Sequence, residues 1–177
     1  MISAILHKIS TILNDNIKLS FHLKQDLVKI QSVDSNATEG HIAISIANIE
    51  RDTSAGISFN RKSLSTSHSS LGNPSWQINF YILIAVVFPK KQYAESLKLI
   101  AEMLRILQAN HIISFDQSGA QYTLEPVNTS FQELSNLWSI SGGTYYPSVL
   151  CKVKTLQIDG DSIMQLDTAV KEREINL

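Results

Sequence analysis

Trp76-Gln-Ile-Asn-Phe80-Tyr-Ile-Leu-Ile-Ala85-Val-Val-Phe-Pro-Lys90-Lys-Gln-Tyr-Ala-Glu95-Ser-Leu-Lys-Leu-Ile100-Ala-Glu-Met-Leu-Arg105-Ile-Leu-Gln-Ala-Asn110 decides the fold. It reads as a strand that runs directly into a helix. Gln77 and Asn79 alternate with Trp76, Ile78 and Phe80, so the strand starts half polar. From Phe80 to Val87 both faces are apolar, which predicts a central strand covered on both sides. This run is too short to span a membrane. Pro89 stops it. Tyr93, Leu97, Ile100, Leu104 and Leu107 then recur at helical spacing and most simply face the core, the alternative being that this stripe or the one over Ile2 to Leu13 is a subunit contact. Glu95, Lys98, Glu102 and Arg105 fall on the other side, placed for pairing one turn apart. Asn110 ends the helix.

On the N-terminal side, Ile2, Ile5, Leu6, Ile9, Ile12 and Leu13 share a face. They predict a helix over 2–14, with Ser3 near its cap and Asn14-Asp15-Asn16 as its stop. A short strand is expected within 27–33 and a loop over 34–40. His41 to Ile49 alternates: Ile42, Ile44 and Ile46 point one way, and the small Ala43, Ser45 and Ala47 leave room for a helix on the other. Residues 51–75 are Ser-rich, with Gly72 and Pro74 near the end, and have little to bury. They are expected to form a flexible loop.

On the C-terminal side, a short apolar run Ile112–Phe115, a turn at 116–119 and a strand over 121–127 follow. Pro126 predicts an edge or a bulge there. Ser130-Phe-Gln-Glu133 fits a capping box, opening a helix with Phe131, Leu134, Leu137 and Trp138 on one face. Gly142-Gly143 stops it. Tyr145 to Leu156 is the last expected strand, with Pro147, Val149, Cys151 and Val153 inward and Lys152 and Lys154 outward. These elements predict one α+β domain over 1–158, a two-layer arrangement of helices on a mixed, mostly antiparallel sheet, followed by a tail over 159–177.

The 177 residues suffice for one core, and 44% hydrophobic with 18% charged is a globular balance. A net charge of −1 gives no ground for nucleic acid or an anionic membrane as partner. One cysteine allows no internal disulfide, and the N-terminus lacks a basic leader, so a soluble protein made in the cytoplasm is expected. Motifs for chemistry are missing. His7, His22, His41, His68 and His111 make no metal pair at helical spacing, so no metal and no cofactor is expected. Gly142-Gly143 lacks the neighbours of a phosphate loop. Asp159-Gly-Asp161 lacks the later ligands of a calcium loop and reads as a turn. Asn128-Thr-Ser130 has the form of a glycosylation site but reads more simply as the helix cap. Cys151, on the inward side of its strand, reads as an inert thiol.

Four segments, taken in order, carry a resemblance. They are Met1-Ile-Ser-Ala-Ile5; Ile44-Ser-Ile-Ala-Asn48-Ile49-Glu50; Ile78 to Ala85, leading through Tyr93 and Leu97 to Leu107-Gln108; and Phe131 to Trp138, followed by Gly142-Gly-Thr-Tyr145-Tyr-Pro147-Ser148-Val149. In this arrangement the chain resembles the N-terminal-domain family of tail-terminator, or cap, proteins of contractile injection systems, of the antifeeding-prophage and Photorhabdus virulence cassette type. The resemblance implies a structural protein and not an enzyme. It implies a ring, hexameric in the family, that ends the inner tube and joins it to the sheath, so that its partners are itself and the tube and sheath proteins. It also implies incorporation into the injection particle. Asn48, Glu50, Asn136, Trp138, Gly142, Gly143, Tyr145, Pro147 and Ser148 are the family-motif residues expected to fix the fold or the subunit contact. The tail 159–177, or an exposed sheet edge, is expected to add to a neighbouring sheath sheet as a strand. Other readings are a different ring or adaptor of the same particle, or a small enzyme with a pocket near Gly142-Gly143 that uses His111 or Cys151.

Overall fold

A computed structural model describes residues 1–33, 40–53, 59–63, 68–74, 76–115, 121–158 and 163–168. In chain order the elements are α1 (Ile2–Phe21), β1 (Val28–Ile30), β2 (His41–Arg51), β3 (Phe59–Ser63), β4 (His68–Pro74), β5 (Trp76–Val87), α2 (Tyr93–Ala109), β6 (Ile112–Ser114), β7 (Gln121–Pro126), α3 (Phe131–Ile140), β8 (Ser148–Ile158) and β9 (Ile163–Thr168). A 3-10 turn, Lys90–Gln92, leads into α2. The expected turn at 116–119, the loop at 34–39 and the stretches 159–162 and 169–177 lie outside the described residues.

The long strand is central, as its double-sided apolar pattern predicts. The sheet order is β1-β2-β5-β8-β7-β6. β1 runs parallel to β2, whereas β8, β7 and β6 pair antiparallel. Phe80, Ile82, Ile84, Val86 and Val87 of β5 are fully buried. Leu83, Ala85 and Val87 share one side with Ala43 of β2, and Trp138 of α3 packs there together with Leu134, Leu137 and Tyr146. The small residue at Ala43 therefore does admit a helix. Ile82 and Ile84 point to the opposite side by strand alternation, where α1 and α2 pack together and α1 also contacts β1. The result is an α+β fold, with helices on a mixed six-stranded sheet.

Helix α1 runs through the expected stop. Asn14 does not end it because its side chain is used elsewhere. Its Oδ1 accepts from the Leu27 and Val28 N–H groups at 3.0 and 2.8 Å, and its Nδ2 donates to the Val28 carbonyl at 3.2 Å. Asn16 donates back to the Ile12 carbonyl. The helix ends at His22, which adopts the left-handed conformation at φ 53°. Met1, not Ser3, is the N-cap residue, without a side-chain bond.

Helix α2 also departs from its expected orientation. Ser96, Leu99, Met103, Ile106 and Leu107 are its buried residues. Tyr93, Leu97 and Leu104 are exposed. Apolar residues occupy more than half of this helix's circumference, and Ser96 can be buried because its hydroxyl donates to the Tyr93 carbonyl at 2.6 Å. The sheet therefore selects the arc centred on Met103. In α3, Phe131 leaves the expected apolar face and is 92% exposed.

The expected loop over 51–75 and tail over 159–177 contain β3, β4 and β9, which form a separate antiparallel sheet in the order β3-β4-β9. Leu71 stands opposite both Arg61 and Gln165. Contacts divide the chain into two compact units, Met1–Ile49 with Asn79–Thr155, and Glu50–Ile78 with Leu156–Leu177. The strand β9 pairs with β4 of its own chain and stands at the outer end of the β3-β4-β9 order. Backbone pairing gave these Ser-rich strands an order that their weak apolar pattern did not announce.

Candidate interaction site

The motif from Asn136 to Ser148 forms one continuous local structure. It begins at the capping box, where the Ser130 hydroxyl accepts from the Glu133 N–H at 3.3 Å and the Glu133 carboxylate accepts from the Ser130 N–H at 2.7 Å. These bonds hold the Glu133 carboxyl below its usual range. Two turns on, Trp138 is buried against β2 and β5. The helix then closes with a Schellman turn: the Gly143 N–H reaches the Trp138 carbonyl at 2.8 Å, and Ser141 bonds to Leu137. Gly142 and Gly143 have φ of 97° and 77°, which side-chain-bearing residues rarely adopt.

The turn brings two tyrosines back to the indole. Tyr145 and Tyr146 lie with ring centroids 5.6 and 5.9 Å from Trp138, the first edge-on. Pro147 is buried and its carbonyl accepts from the Val86 N–H at 2.9 Å, which docks the start of β8 on β5. Of the motif residues, Trp138, Gly142, Gly143 and Pro147 thus hold the fold, the two glycines while also exposed. Asn136, Gly143 and Tyr145 face solvent, and Ser148 is half-buried as the first residue of β8. Asn48 is exposed on β2, about 17 Å along the strand from Ala43. Glu50 is half-buried and falls in the second unit.

Beside the turn lies a cavity of about 380 Å³, lined by Val86, Phe88, Pro89, Lys90, Tyr93, Ser96, Thr144, Tyr145, Tyr146 and Pro147. Its walls come from the end of β5, the start of α2 and the stretch before β8. Aromatic rings and prolines share the lining about equally with polar groups, among them Ser96, Thr144 and the Lys90 ammonium. Neither His111 nor Cys151 lines it. His111 is exposed, 3.2 Å from the Gln108 carbonyl. Cys151 is fully buried, and burial pushes its thiol up to about 12. The cavity beside Gly142-Gly143 is therefore not one built around His111 or Cys151. Among the described residues no cluster of His, Cys, Asp or Glu could hold a metal, and no helix is long and apolar enough to cross a membrane.

The sequence reading did not single out Phe88, Pro89, Lys90 or Tyr93 as a surface. The signal available was the Phe-Pro-Lys-Lys junction itself, an apolar strand end meeting two cations.

A sheet docked by helices through this Trp-Gly-Gly-Tyr-Tyr-Pro turn defines the class. Comparison with known families gives the membership: the chain belongs to the Pvc16 N-terminal domain family, whose model matches residues 4–172. Two solved structures are similar in fold. One is the sheath/tube terminator, in the extended state, of the extracellular contractile injection system PVC, with TM-score 0.59 and 17% identity over 94% of this chain and 61% of that one. The other is the tube-terminating cap of the anti-feeding prophage, with TM-score 0.63 and 15% identity over 98% of this chain and 60% of that one. The chain thus spans about three fifths of the length of these relatives. Among curated proteins, none matches it significantly.

Proposed function

We propose that the chain acts as the terminator, or cap, of a contractile injection system. In this reading copies of it assemble into a ring, hexameric in stoichiometry, that ends the inner tube and joins its last layer to the sheath. It is a structural component and not an enzyme. The family match across nearly the whole chain carries the proposal, and the fold likeness to a tube terminator and a cap supports it. The exposed motif residues Asn48, Asn136, Gly143 and Tyr145, with Glu50 and Ser148, are candidates for the contact between subunits or with the tube and sheath. Trp138, Gly142 and Pro147 serve it by fixing the turn on which the others stand.

Closure of a ring requires two different complementary surfaces on one rigid body. The buried strand β5 with α1, α2 and α3 around it supplies that rigidity. The test is the native mass by light scattering, with electron micrographs of the same fraction and of the chain mixed with purified tubes and sheaths. Annular particles, or density added at one end of the tubes, are expected. A chain that forms no ring and leaves both tube ends bare overturns the proposal.

A further inference from the structure

We infer that Phe131 of one copy enters the cavity beside Tyr93 and Tyr145 of the next; this contact rests on the ring reading. Phe131 is the first residue of α3 and 92% exposed. Its backbone is held on both sides by the Ser130–Glu133 capping box. With its backbone already fixed, the exposed ring has a large apolar area to bury at little further backbone cost, which suits an interface anchor.

The cavity suits it in size and chemistry. At about 380 Å³ it stands at the small end of ligand pockets, room for a side chain or two. Phe88, Pro89, Tyr93, Tyr145 and Pro147 supply the apolar half of a mixed lining, and Tyr93 and Tyr145 are half-uncovered, with 53% and 56% of their surface exposed. An entering ring would complete their packing edge-to-face. Charge agrees. The Glu133 carboxylate is exposed two residues from Phe131, and Lys90 stands on the cavity wall with Lys91 beside it. An anion beside the knob meets a cation beside the hole, which favours this orientation over its reverse.

Phe131 does not fill its own chain's cavity, since it is exposed. It lies seven residues, about 10 Å along α3, from Trp138, on which Tyr145 rests. Every copy therefore offers one knob and one hole on separate patches, the requirement of a contact that repeats from subunit to subunit.

The experiment uses the full chain with single substitutions Phe131→Cys and Lys90→Cys, mixed and treated with a short bis-maleimide. Buried Cys151 does not compete. The expected product links residue 131 of one copy to residue 90 of another. In parallel, Phe131→Asp should weaken self-association about 30-fold or more. Ile140→Asp, equally apolar and 87% exposed at the other end of α3, should leave it unchanged. Rings that persist in Phe131→Asp, with no 131–90 product, overturn this contact and leave the cap reading standing. A chain that neither self-associates nor binds tube ends overturns both.

Discussion

Trp138 shows what a single side chain decides in this fold. Its ring joins α3 to β2 and β5, yet among the described residues its buried Nε1 has no hydrogen-bond partner. A buried donor left unmet costs about 1–3 kcal/mol. Trp138→Phe removes that donor while keeping an aromatic ring, and should change the unfolding free energy by less than about 1.5 kcal/mol. Trp138→Ala should lose about 3–5 kcal/mol; denaturant titration separates the two. Cys151 gives a second prediction. Its thiol, raised to about 12 by burial, stays protonated in the folded chain beyond the range where an unfolded thiol ionises. Folding therefore weakens as pH rises from about 9 toward 12, and at pH 8 a thiol reagent should label Cys151 only in denaturant. Glu102 behaves in the opposite sense. Arg105, bound through two nitrogens at 2.9 and 2.7 Å, and the Ser20 hydroxyl hold its carboxyl down to about 2. Its contribution is present above the ordinary carboxylate pKa and is lost as pH falls toward 2. Carbon-detected NMR titration should find Glu102 ionised at pH 3.5.

Among the elements, what could be read beforehand depended on how many partners a segment has. The capping box of α3 is local, set by Ser130 and Glu133 alone, and it was legible. So was β5, whose unbroken apolar run has one interpretation. The buried arc of α2 was not, because Tyr93, Leu97 and Leu104 are as apolar as Leu99 and Met103, and only the sheet beneath chooses between them. The pairing of β4 with β3 and β9 was not legible either, since Ser69 and Ser70 give no face to bury. Asn14 is the instructive failure: an asparagine in a polar triplet reads as a helix end, but the start of a strand 13 and 14 residues further on occupies its amide. Asn14→Val should preserve α1 and cost about 1–3 kcal/mol through the unmet groups of Val28. Hydrogen exchange should show it directly, with faster exchange at Leu27 and Val28 and unchanged protection in α2.

For the whole molecule, the motif Asn136–Ser148 was recognisable as a signature, but its division into residues that hold the turn and residues that face outward required the fold. The cavity beside it is built from three separated stretches and had no sequence pattern of its own. One substitution links it to a distant loop end. A Cβ on Gly40 would fall 2.4 Å from the Phe88 ring, so Gly40→Ala must push Phe88 aside. Since Phe88 lines the cavity, that variant should impair subunit association more than it impairs folding, a difference visible by comparing light scattering with the melting temperature. The six-stranded sheet has β1 at one end, and strand ends of this kind invite another chain to continue the ladder. In β1 the groups of Val28 that face away from β2 are already consumed by the Asn14 amide. In the terms of polymer chemistry, Asn14 is an end group at Val28: it takes up one of the valences at which the sheet would otherwise grow.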